Sequence, residues 1–230
     1  MNPAGAGCGA REHVADATGF VLAGGQSNRM GRDKAFLLLA DRPLIAHALS
    51  TLREAGLPAA IAGASTAGDS ALAAYAPIVR DPQPGLGPLA GICAALAAVS
   101  TRYVAFLPVD LPFLPPSLIV YLLHCARITG RAVTVASVNG FSQTFPVILD
   151  RSILPALETQ LHSETRGCFS AFQAAAEGLG QPVASVAVEL LAQSGQVVHP
   201  LGLPPFRWFL NVNTPQDLHR AEAPRSQAIA

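Results

Sequence analysis

The chain has 230 residues, half of them hydrophobic and only 13% charged, with 15 Lys+Arg against 15 Asp+Glu. That composition excludes a disordered chain, and a formal net charge of +0 offers no extended basic surface for a long nucleic acid. The length suits one α/β domain, at most with an appended subdomain, and allows a substantial core.

The first stretch, Met1 to Ala17, carries Arg11, Glu12 and Asp16, lacks the apolar region of a signal peptide and reads as a loose tail. Its run Gly5-Ala6-Gly7-Cys8-Gly9-Ala10 superficially matches a dinucleotide-binding glycine pattern, but no strand precedes it. The first convincing element is a strand at Gly19 to Ala23, which empties into a polar loop, Gly24 to Lys34. Apolar positions at Leu44, Ile45, Ala48, Leu49 and Leu52 have helical spacing, with Pro43 suited to the first turn and Gly56 to the stop. Leu57–Ala62 reads as a second strand, Ala67–Tyr75 as a helix and Pro77–Arg80 as a third strand. After a loop over Asp81–Pro88 come a small-residue helix (Leu89–Val99), a continuous apolar strand (Tyr103–Pro108), a helix (Pro115–Ala126) and a strand (Ala132–Ser137). This alternation predicts a doubly wound, mostly parallel sheet with helices on both faces.

The later part is less regular. Strands are expected at Phe145–Leu149, Val183–Val188, Val197–Pro200 and Trp208–Val212, and helices at Arg151–Leu161 and Ser170–Ala176. Thr214, with Pro215 after it and Asp217 in the first turn, opens a short terminal helix. The tail past Glu222 reads as loose. The apolar run Leu111–Ala126 is broken by Pro112, Pro115 and Pro116, which argues against a membrane span. Cys8, Cys93, Cys125 and Cys168 are far apart and read as isolated, mostly buried thiols, which suits a reducing cytoplasm. The six histidines share no ligand spacing, and Ser27 has no local base signature.

Ligands of parallel open sheets bind beyond the carboxyl ends of the strands. Gly24 and Gly25 let the backbone turn tightly towards an anion or a base edge. Arg29 can fork two phosphate oxygens, while Lys34 is a mobile point charge. The loop is not a Walker A loop, because no Gly-Lys-Ser/Thr follows, and basic residues on a solvated turn are the plain alternative. Asp110 follows directly on an apolar strand, where a charge is costly without a partner. Mg²⁺ is a natural partner, and capping the next turn is the alternative. Asp81 could contact a nucleotide or cap the turn before Pro82. Asn211 and Asn213 alternate, so they face the same side of an extended segment and could help hold metal or phosphates, or bond to backbone.

The segments LAGGQSNRMGRDKA (Leu22–Ala35), GPLAGICAAL (Gly87–Leu96), FLPVDLPFLP (Phe106–Pro115) and NVNTPQDL (Asn211–Leu218) closely resemble molybdenum cofactor guanylyltransferases, in order and across Gly19 to about Arg220. The resemblance implies a Rossmann-like, three-layer α/β/α nucleotide-diphospho-sugar transferase fold. It implies one nucleotidyltransferase domain over residues 18–222, with residues 18–110 as the nucleotide half and 111–222 as the acceptor half. The implied reaction transfers GMP from GTP to Mo-molybdopterin, with Mg²⁺, and releases pyrophosphate in the cytoplasm. By match of motif, Leu22, Ala23 and Gly24 would hold the nucleotide through backbone, Lys34 its phosphates, Asp81 GTP, and Asp110 both GTP and Mg²⁺. Gly25, Arg29, Asn211 and Asn213 match positions that look functional, with Arg29, Lys34 and Asp110 as the catalytic set and Asp110 and Asn213 at the metal. Neither nucleic acid nor membrane is an expected partner, and transient contact with molybdoenzymes or their chaperones is compatible with the role.

The chain departs from the pattern in three places. Many relatives carry an asparagine after the second strand, whereas Ile61-Ala62-Gly63-Ala64-Ser65-Thr66 has none. Ser142-Gln143-Thr144-Phe145-Pro146 matches the pterin-side segment only in part, and residues 178–207 have no clear counterpart. The competing readings are a CTP-dependent transferase on the same cofactor, a transferase for another phosphorylated acceptor, and a non-catalytic carrier or regulator on the same fold.

Overall fold

The computed structural model describes residues 16–23, 34–64, 69–83, 86–161, 163, 167–213 and 217. In chain order the elements are β1 (Ala17–Leu22), β2 (Leu38–Leu39), β3 (Arg42–Pro43), α1 (Leu44–Glu54), β4 (Ala59–Ala64), α2 (Asp69–Ala73), β5 (Ile78–Arg80), α3 (Pro88–Ala98), β6 (Tyr103–Pro108), α4 (Pro116–Thr129), β7 (Val133–Val138), β8 (Phe141–Asp150), α5 (Leu154–Leu161), α6 (Cys168–Gly178), β9 (Ala184–Ala187), α7 (Val188–Gln193) and α8 (Pro205–Trp208). No helix among the described residues is long and apolar enough to cross a membrane.

β1 is buried along nearly its whole length, and such a strand needs neighbours on both edges and cover on both faces. It lies between β4 and β6, parallel to both, in a seven-stranded sheet of order β5-β4-β1-β6-β8-β7-β9. Side chains alternate across this sheet. Ala17 and Val21 of β1, with Tyr103, Ala105 and Leu107 of β6, pack with α1 and α4 on one face. Phe20 and Leu22, with Val104 and Phe106, pack with α3, α5 and α6 on the other. Phe20 and Phe106 are register partners and stack with ring centroids 5.8 Å apart. The expected three-layer, mostly parallel architecture is therefore the one observed.

Only β8 runs against its neighbours. The cause is local. Asn139 and Gly140 both have positive φ, at 51° and 80°, so a two-residue turn reverses β7 directly into β8. β8 begins at Phe141, four residues before the expected strand. It pairs with β6 only from Val147 to Asp150, so residues 141–146 reach past the end of that pairing, towards the edge where β6 finishes. The same device, with Ala40 and Asp41 at φ 49° and 59°, makes the small β2–β3 hairpin. Pro43 closes that hairpin and precedes α1 instead of sitting inside its first turn.

Two expected strands do not form. Residues 197–200 lie in loop and turn, and Trp208 ends a one-turn helix opened by Pro205. Residues 209–213 make no sheet ladder; Val212 gives its N–H to the Asp110 carbonyl at 2.9 Å. Thr214, Pro215 and the tails lie outside the described residues.

The edge where β1 and β6 begin is tied by charge. Arg102 donates to Asp150 at 2.9 Å and Arg127 to Asp16 at 2.5 Å. Burial works against the Asp150 charge, yet the Ser152 N–H and the Arg102 guanidinium hold its carboxyl below the usual range. At the opposite edge, α3 meets β4 backbone to backbone. Gly63, at φ +76°, sits at a register shift in β4, and a Cβ on Gly91 would stand 3.0 Å from the Gly63 Cα. No side chain there can swing away. Gly91→Ala is expected to destabilise by about 1–2 kcal/mol, the overlap outweighing alanine's better helix propensity. Thermal melting reads this, and an unchanged or raised Tm would show that α3 has room to shift.

Candidate active site

Leu22 is level with Ala62 on one side and Pro108 on the other, so β1 and β6 end level and β4 runs on to Ala64. Two further bonds extend the register: Ala23 gives its N–H to the Ala62 carbonyl at 3.1 Å, and the Leu22 carbonyl accepts from Val109 at 3.4 Å. These bonds use the Ala23 donor and engage the Leu22 acceptor. Gly24, Gly25 and Arg29 lie outside the described residues.

Asp110 stands two residues past β6, its side chain 21% exposed. Lys34 opens a short 3-10 turn anchored by buried Ala35 and by the Leu37 N–H, which donates to the Lys34 carbonyl at 3.1 Å. Its ammonium reaches Asp110 Oδ2 at 2.7 Å and also donates to Asn213 Oδ1. Three segments far apart in sequence thus meet at one nitrogen. The partner that the Asp110 charge requires is, in this structure, a lysine of the same chain, which the sequence reading did not anticipate. Asn213 is held in turn, its N–H donating to Asp217 Oδ2 at 3.0 Å. Asn211 and Asn213 are both exposed and flank the fully buried Val212, in agreement with the expected alternation, but only Asn213 joins the contact with Lys34.

Asp81 follows β5, two strands from β1, and its Oδ1 accepts from the Gln83 N–H at 2.8 Å. It caps its own turn and is separate from the lysine bridge. Cys93, in α3, is inert by environment. Burial, with smaller contributions from Glu158, Cys168 and Asp81, pushes its thiol up to about 12. Burial raises Cys168 to about 11.

Asp110 and Asn213 supply a carboxylate and an amide oxygen converging on one cation, which is donor chemistry suited to a hard divalent metal. Among the described residues no group of three or more His, Cys, Asp or Glu is arranged to hold a metal ion. A metal that uses one carboxylate, one amide and substrate phosphates does not need such a group.

Residues 19–179 match the MobA-like NTP transferase domain. The chain belongs to that family. The molybdenum cofactor guanylyltransferase of Rhizobium meliloti is 32% identical over 221 residues, covering 94% of this chain and 94% of its own. That of Rhizobium johnstonii is 31% identical over 217 residues, covering 92% and 93%. Among solved structures, molybdopterin-guanine dinucleotide biosynthesis protein A from Archaeoglobus fulgidus superposes with a TM-score of 0.70 at 22% identity, covering 89% of this chain and 96% of its own. A Mycobacterium tuberculosis protein solved in complex with manganese gives 0.60 at 20% identity, covering 90% and 97%. The family resemblance and fold expected from the sequence motifs are borne out.

Sequence reasoning missed what carries Asn213 to the site. His199, 7% exposed, uses both ring nitrogens: Nδ1 accepts from the Leu201 N–H at 3.0 Å, so Nε2 holds the proton and donates to the Phe113 carbonyl at 2.9 Å. Its ring stacks on buried Trp208, whose indole N–H donates to the Leu203 carbonyl at 2.7 Å. This ties the segment leading to Asn213 onto the chain just beyond Asp110. The only signal was a histidine and a tryptophan nine positions apart, which no motif contains. His199→Ala is expected to destabilise by about 1–3 kcal/mol through the unpaired Phe113 and Leu201 groups, and to slow turnover. Melting and pyrophosphate release measure the two effects, and wild-type values in both would deny His199 the bracing role.

Proposed function

We propose that this nucleotidyltransferase moves GMP from GTP onto the phosphate of Mo-molybdopterin. The meeting of Lys34, Asp110 and Asn213 at the carboxyl edge of the sheet supports the reading, since ligands of open α/β sheets bind beyond that edge and one ammonium with two metal-suited oxygens matches a triphosphate and its cation. Support for the guanylyl transfer comes from relatives named molybdenum cofactor guanylyltransferases that align across more than nine-tenths of both chains.

The chemistry makes few demands on a base. The acceptor phosphate is already anionic, so its oxygen attacks the α-phosphorus of GTP while the bond to the β-phosphate oxygen breaks and pyrophosphate leaves. The protein must hold two polyanions in line and offset their charge. In this reading Leu22, Ala23 and Gly24 hold the nucleotide through backbone, with Gly25 beside them in the sequence, and Arg29 and Lys34 serve its phosphates. Asp81 lies at the nucleotide side, and Asn211 faces the acceptor phosphate. Asp110 and Asn213 hold the divalent cation, which we assign as Mg²⁺; a related fold binds manganese. Such a cation neutralises triphosphate charge and withdraws density from the α-phosphorus. Residues 18–110 serve the nucleotide and residues 111–222 the acceptor, with the projecting end of β8 on that second side. We place the reaction in the cytoplasm, with no nucleic acid or membrane partner.

Pyrophosphate release with molybdopterin as acceptor tests the reading. Wild-type protein is expected to respond to GTP and Mg²⁺ but not to CTP, and Asp110→Asn to lose at least about a hundredfold in rate while its melting stays cooperative. Release with CTP alone would reassign the base, and a fully active Asp110→Asn would remove the metal role.

A further inference from the structure

The lysine bridge contains more than phosphate binding requires. A lysine kept only for a triphosphate could wait in solvent. Here its ammonium lies on the two oxygens that suit a metal, with side-chain exposures of 16% for Lys34 and 21% for Asp110. An ammonium offers three donors and one charge on a flexible four-carbon stem. It can satisfy a carboxylate and an amide oxygen together, yet a divalent ion binds the same pair more strongly. The Lys34 backbone is anchored through the Leu37 N–H and the burial of the adjoining Ala35. The Cα can stay fixed while the ammonium swings.

We propose that Lys34 is the internal counter-ion of the metal position: its ammonium holds the Asp110 and Asn213 oxygens in the nucleotide-free protein and yields them to the cation that enters with the triphosphate. The proposal builds on the nucleotidyl-transfer reading. Lys34 and the metal compete for the same oxygens, so the metal alone binds weakly. Triphosphate oxygens give the displaced ammonium a new partner, which makes metal and nucleotide binding mutually reinforcing. Asp110 is never left without a positive neighbour at the lip of the core, and the cationic side chain turns towards the phosphates only when they arrive.

Mn²⁺ alone, followed by electron paramagnetic resonance of the free ion, tests this on the full chain without GTP or acceptor. Lys34→Met keeps the stem and removes the charge. It is expected to bind Mn²⁺ at least about tenfold tighter than wild type, because a cation at contact distance is gone. Adding GTP should then strengthen Mn²⁺ binding in wild type much more than in Lys34→Met, and Asp110→Asn should abolish the site. Lys34→Gln, with amide donors but no charge, should fall between, and it carries the comparison if circular dichroism shows Lys34→Met unfolded. Mn²⁺ affinity in the lysine variants equal to or weaker than wild type overturns the proposal. Neither base nor acceptor enters the comparison made with Mn²⁺ alone. Normal GMP transfer with no gain in Mn²⁺ affinity would therefore remove the counter-ion role alone, and the gain could persist if the nucleotide proved not to be GTP.

Discussion

Asp110 lies just beyond a strand whose residues 103–107 are all buried, and a carboxylate at that lip is expensive unless a positive group is close. Much of the site's arrangement follows from meeting this requirement. β6 must be parallel and level with β1 so that Ala23 and Asp110 stand at the same edge. The turn at Lys34–Phe36 must be anchored so that its ammonium reaches Oδ2. The C-terminal segment must return across nearly the whole chain to add the Asn213 oxygen. One charge therefore joins three segments that share no local sequence.

The supporting parts are consistent with that demand. The Val212 N–H bonds to the backbone carbonyl of Asp110 itself, so Asn213 is positioned by the residue it assists. His199 and Trp208 bring the chain to that point from the α4 side. Gly63 and Gly91 let α3 approach the end of β4 without intervening side chains. Two ion pairs, Arg102–Asp150 and Arg127–Asp16, lie at the far edge of the sheet, where they fasten β1 and β6 at their starts.

Legibility in the sequence followed the range of the interaction. The buried parallel strands could be read because both faces demand apolar residues, and β6 was placed to the residue. β8 was read four residues short, because Ser142, Gln143 and Thr144 look like loop when taken singly. The hairpin signal that extends the strand is Asn139-Gly140, both at positive φ. The strands expected near Val197 and Trp208 failed because their apolar residues are spent on one-sided packing and a proline-started turn instead of a ladder. At the site, residue types revealed Lys34, Asp110 and Asn213 individually. Their mutual contact was invisible, since nothing local encodes a bridge across 179 positions. The role of Asp81 as its own turn's cap is a local pattern, legible from the Asp-Pro step alone.

Guanylyl transfer onto a pterin phosphate at this sheet edge is tested most directly by incubating the chain with GTP, Mg²⁺ and molybdopterin and determining the product's mass. The account requires a species in which molybdopterin is linked to GMP through a diphosphate, with one pyrophosphate released for each. A cytidyl adduct formed only from CTP, or recovery of unchanged molybdopterin from protein that binds both substrates, would contradict it.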